Sequence, residues 1–82
     1  MHPRRGAGIR VVRLPAIWSS PGYQVHPETR RLLIWLLKSG RRLTIDKVDE
    51  YGYVWVKFAR REEGRRIWES IALDPGTWER YE

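Results

Sequence analysis

Apolar and polar positions alternate most clearly over Tyr53–Leu73, YVWVKFARREEGRRIWESIAL. Two period-two runs flank Glu63-Gly64, which predicts one β-hairpin with a two-residue turn where glycine accepts positive φ. That turn fixes the register. Val54 then faces Leu73, Val56 faces Ile71 and Arg60 faces Ile67, on a face shared with Phe58 and Glu69. The opposite face sets Trp55 beside Ala72, Lys57 beside Ser70 and Ala59 beside Trp68. The apolar sets match across the two strands, as a correct register requires. One face is aliphatic. The other carries Tyr53, Trp55, Lys57 and Trp68, with arginine doublets near the turn.

The rest of the pattern divides into short elements. Ile9–Leu14 is β-branched and ends at Pro15, so it predicts a first strand. Ser19-Ser20-Pro21-Gly22 marks a turn inside a loop over 15–24, with Trp18 as its apolar anchor. Residues 27–39, PETRRLLIWLLKS, predict the one helix. Pro27 suits the first helical position, Glu28 and Lys38 complement the helix dipole, and Gly40 suits the left-handed residue after the last turn. Six consecutive apolar residues, Leu32–Leu37, would fit a buried strand equally well by periodicity; length and end signals favour the helix. Those six cover nearly the whole circumference, wider than a one-sided surface helix needs. Either the sheet and the 15–24 loop wrap the helix, or it lies in a subunit interface. Residues 43–49, 53–60 and 66–73 predict three further strands, with a turn at Asp49-Glu50-Tyr51-Gly52 and a short last strand over 77–81.

This order predicts an α+β domain: a small, strongly bent antiparallel sheet of about five strands, or a partial barrel, with one helix against it. The stretch 43–81 resembles an SH3-like small barrel through Val48-Asp49-Glu50, Gly52, Val54-Trp55-Val56, the Glu63-Gly64 hairpin and Trp78. With Val25-His26-Pro27-Glu28-Thr29 added, the chain is similar to short uncharacterised bacterial proteins with such a core. The resemblance covers about half the chain. It implies a fold and leaves function open, since SH3-like folds host binders of peptide, RNA and DNA. A proline-peptide groove needs clustered aromatics with acidic loops. Tyr51, Tyr53, Asp49 and Glu50 are a thin version of one, and the basic first half does not fit it.

The 82 residues make one domain, with residues 1–8 read as a mobile basic arm. A domain of this size buries only about 60% of its unfolded surface, and five tryptophans add bulk to a thin core. The net charge of +6 is uneven: residues 1–27 carry four arginines and no acid, whereas residues 49–82 carry more acid than base. Arginine outnumbers lysine thirteen to three, which suits bidentate contacts to phosphate or carboxylate. A basic excess favours nucleic acid, an anionic surface or an acidic protein. The absence of cysteine removes disulfides and thiolate metal sites. No apolar run is long enough for a bilayer and no signal-peptide core forms, so a cytoplasmic protein without membrane contact is expected.

Catalysis finds no support in the sequence. Ser19 and Ser20 sit in a turn, Ser39 and Ser70 have no nearby histidine, and His2 and His26 are the only imidazoles. Asp46, Asp49 and Glu50 lack convergent ligand spacing, and Gly6-Ala7-Gly8 precedes a strand rather than a helix. No enzyme activity and no cofactor are expected. Nonspecific nucleic-acid binding fits best, with Arg30, Arg31, Arg41 and Arg42 as phosphate contacts and Tyr53, Trp55, Lys57 and Trp68 as the aromatic-basic face. Two placements of the tryptophans compete: presented for stacking, or packed under the helix as core. The alternative function is a protein-interaction or homo-oligomerisation module. It would use the apolar helix segment 32–37 through Leu33, Trp35 and Leu37, with an acidic protein or a second copy as partner.

Overall fold

The computed structural model describes residues 3–81. It contains one helix, α1 (Pro27–Ser39), and five strands: β1 (Gly8–Val11), β2 (Leu43–Val48), β3 (Val54–Glu62), β4 (Arg65–Leu73) and β5 (Trp78–Arg80). All strand pairings are antiparallel, in the order β4-β3-β2-β1-β5. The architecture is thus α+β with a five-stranded antiparallel sheet and one helix. No pairing joins β4 to β5 among the described residues, so the sheet stays open.

Helix α1 begins and ends as its residues dictate. Pro27 occupies the first turn, and His26 Nδ1 accepts the Glu28 N–H at 3.2 Å, satisfying one of the unpaired donors there. Gly40 takes the left-handed conformation (φ 60°) and its N–H donates to Leu36 O at 3.1 Å, closing the helix. The wide apolar band resolves into unequal positions. Leu33 and Leu36 are buried against the sheet, and Leu32 and Leu37 flank the core half-buried. Trp35 points outward over the Phe58 ring. A 3₁₀ turn over Ala16–Ser19 places Trp18 against the core, as its anchor role requires.

The core lies on one side of the sheet only. Ile9 and Val11 of β1, Leu43 and Ile45 of β2, Val54, Val56 and Phe58 of β3 and Leu73 of β4 meet Leu33 and Leu36 there. Burying an aliphatic side chain of this size contributes about 1.5–3 kcal/mol, so this layer is where the fold's stability resides.

Three details differ from the sequence pattern. Strand β1 stops at Val11 because the N–H groups of Val12 and Arg13 both turn to Thr77 O, at 2.8 and 3.3 Å. Of the basic arm, Met1 and His2 lie outside the described residues, while the following segment is held against β2. Gly6 N–H donates to Ile45 O at 2.8 Å, and Ile45 N–H returns to Ala7 O at 3.0 Å. Finally, the β2–β3 register shifts between Ile45 and Lys47, a β-bulge at Asp46. The extra residue reverses the side-chain alternation, so Lys47 leaves the core side and lies opposite Trp55.

The β3–β4 hairpin matches the register read from the apolar pattern at every pair, from Val54 opposite Leu73 to Glu62 opposite Arg65. Glu63 (φ 51°) and Gly64 (φ 77°) both adopt positive φ, the geometry of a type I′ turn. Among the described residues, no helix is long and apolar enough to cross a membrane.

Candidate nucleic-acid interface

The outer face of the sheet, opposite α1, gathers the aromatic-basic set. Alternation along β3 sends Val54, Val56 and Phe58 into the core and Trp55, Lys57, Ala59 and Arg61 outward. Across the hairpin these outward residues face Ala72, Ser70, Trp68 and Arg66 in turn. Each tryptophan has an alanine as its partner across the hairpin. Trp68 is 62% exposed, Lys57 and Ser70 are exposed, and Trp55 is half-buried. Packing of Trp55 and Trp68 under the helix is therefore excluded: the helix occupies the other face.

Trp55 is oriented from below by the turn that precedes it. Asp49 Oδ2 accepts the Trp55 indole N–H at 3.0 Å, while Oδ1 accepts the backbone N–H groups of Tyr51 and Tyr53 at 2.9 and 3.0 Å. Those donors stabilise the carboxylate and hold the Asp49 pKa below its ordinary value. The Trp55 bond is the largest cause, the Tyr53 and Tyr51 amides and the Lys47 charge add to it, and burial opposes it. Lys47, brought to this face by the bulge, sets its ammonium 4.9 Å from the centre of the Trp55 ring. Arg66 lies likewise over Trp68, also at 4.9 Å. Tyr53, half-buried at the entrance to β3, is tied into the same turn through its backbone.

Cations outnumber carboxylates on this face. Arg42 Nη1 donates to Thr44 Oγ1 at 3.2 Å, and its guanidinium crosses the backbone at Gly8, where a Cβ would meet it. Arg42, Lys47, Lys57, Arg61 and Arg66 form no ion pair among the described residues. Glu79 lies on this face across from Arg10, and it is taken up by that arginine at 3.0 Å. Arg61 and Arg66 stand directly opposite each other, a like-charge cross-strand pair that costs stability.

The remaining residues expected at this site lie elsewhere. Arg30 and Arg31 are exposed on α1, on the far side of the sheet. Arg41 is a packing residue: its guanidinium lies over the Trp35 and Phe58 rings and donates to Ala59 O at 3.1 Å. Of the oligomerisation set, Leu33 is only 4% exposed and belongs to the monomer core, and Leu37 is half-buried. Trp35, 39% exposed, is the member left at the surface. It borders a groove of about 910 Å³ between α1 and the hairpin, whose wall includes Glu69. Glu69 accepts from Arg60 Nε at 2.7 Å, and that bond is the main cause that raises the Arg60 pKa.

Arg61 and Arg66 were legible as members of the outer face from the hairpin register alone. Lys47 was not, because no residue in β2 announces the bulge. Among the described residues, no cluster of three histidine, aspartate or glutamate side chains could hold a metal ion. No protein-family model, no curated protein and no solved structure matches this chain.

Proposed function

We propose that this protein binds nucleic acid without sequence preference, through the outer face of its sheet. The observation that carries the reading is the placement of Trp55 and Trp68 outside the core, among five cations that form no ion pair among the described residues. Phosphates supply affinity to such a surface, and exposed indoles supply stacking that tolerates any base. The contact set is Arg42, Lys47, Lys57, Arg61 and Arg66 with Trp55 and Trp68; Arg30, Arg31 and Arg41 fall outside it. We read the sheet itself as SH3-like in type but open, a reading supported by the return of the last strand β5 to the side of the first.

Charge reversal tests the assignment. Lys57→Glu with Arg66→Glu is expected to weaken binding of a fluorescent oligonucleotide at least tenfold, uniformly across sequences, as measured by anisotropy. Arg30→Glu with Arg31→Glu on the helix is expected to change it less than threefold. Equal losses from the two pairs would mean that net charge, and not this face, governs binding.

A further inference from the structure

We infer that the strand recognised is single, and that it crosses the hairpin diagonally from Trp55 to Trp68. This rests on the proposed nucleic-acid reading and adds the substrate class and its path. Trp68 lies opposite Ala59, four residues along β3 from Trp55 on the same face. Four residues of strand span about 13 Å, and the step to β4 adds about 5 Å laterally, so the indoles are anchored about 14 Å apart. A stacked strand rises about 3.4 Å per base and an unstacked one advances farther, so the separation spans at most about four nucleotide steps. Two rings on one sheet face at that separation cannot both stack on paired bases, whose faces are already covered by their neighbours. They can both take unpaired bases from one chain. Between them lies the Lys57–Ser70 row, with exposed side chains. Lys57 is placed for the phosphates of the bridging nucleotides, and the Ser70 hydroxyl can donate or accept beside it.

The two ends of this path differ. Each ring carries a cation at 4.9 Å, but Trp55 is half-buried with its indole N–H committed to Asp49, whereas Trp68 is 62% exposed. Trp68 also borders a notch of about 400 Å³ whose other walls are Lys57, Glu69 and Ser70. Trp68 is thus the principal stacking position and Trp55 the pre-oriented second.

The test compares thymidine oligonucleotides of two and five residues with a five-base-pair-or-longer duplex, at low salt, on the full chain. The five-residue strand is expected to quench tryptophan emission and to bind at least tenfold tighter than the two-residue strand, which reaches one ring at a time. It is also expected to bind tighter per phosphate than duplex. Trp68→Ala is expected to lower its affinity about fivefold to 150-fold, the range of one lost stacked base, and to leave duplex affinity within about twofold. Duplex binding equal to or tighter than single strand, with Trp68→Ala silent, would overturn the single-strand inference while the nucleic-acid reading stands. No binding of either form would overturn both. Because Trp68 is mostly exposed, its removal leaves the fold intact; unchanged far-ultraviolet dichroism of the variant verifies this.

Discussion

Asp49 serves three donors with one carboxylate, and two of its bonds shape the turn while the third sets the Trp55 ring. Its pKa is depressed in the folded state, so the unfolded chain binds the proton more readily at acid pH. The stabilisation is therefore complete above the ordinary carboxylate range and declines as pH falls through the depressed folded value. Acid titration of tryptophan emission is expected to show a transition below the ordinary carboxylate range that Asp49→Asn abolishes. An identical titration in the variant would detach Trp55 from Asp49. The sequence makes Asp49 legible as a turn residue, yet its bond to an indole six positions away depends on how the turn folds back. Arg41 and Arg42 illustrate the same limit. Adjacent in sequence, they point to opposite sides of the sheet: Arg41 stacks on Trp35 and Phe58, and Arg42 crosses Gly8 on the outer face.

At the scale of elements, the β3–β4 hairpin is the frame of the site, and its register depends on one turn. Gly64 at φ 77° has the conformation that costs an L-residue about 1–2 kcal/mol, so Gly64→Ala is expected to destabilise the protein by about that amount. Urea denaturation should show a lower midpoint at unchanged slope. A change below about 0.3 kcal/mol, within the scatter of ordinary surface substitutions, would mean the turn is not held in this geometry. Glu63, also at positive φ, gives the converse expectation: Glu63→Asn should raise the midpoint, because asparagine tolerates that region better. The hairpin register was readable because matched apolar sets and a glycine turn agree on it, although the strands run to Glu62 and from Arg65, past the expected ends at Arg60 and Arg66. Helix α1 was equally readable from Pro27 and Gly40 at its ends. Strand β2 was readable in place but not in facing, since the bulge at Asp46 leaves no mark in residue type.

For the whole molecule, one helix covers one face of an open five-stranded sheet, and the other face is left to solvent. That division explains why the helix can be apolar nearly all round without an exposed leucine seam: Leu33 and Leu36 face the sheet, and Leu32, Leu37 and Trp18 close the flanks. It also sorts the positive charge. The helix-side arginines pack, pair or sit apart, while the outer face keeps Arg42, Lys47, Lys57, Arg61 and Arg66 without an ion pair among the described residues. Binding through three to five of these cations predicts that the logarithm of affinity falls with the logarithm of salt with a slope of about −2 to −4. Which side of the sheet α1 would cover follows from the aliphatic face of the hairpin. That the opposite face would carry no second layer does not, because a chain of this composition could have folded its loop over Trp68 instead. The most direct measurement is a nitrogen-15 chemical-shift map of the protein titrated with a short single-stranded oligonucleotide at low salt. The account predicts saturating shifts at the Trp55 and Trp68 indole N–H groups and at the backbone of Lys57, Arg66 and Ser70, with α1 unmoved; shifts centred on Arg30 and Arg31, or none at excess oligonucleotide, would contradict it.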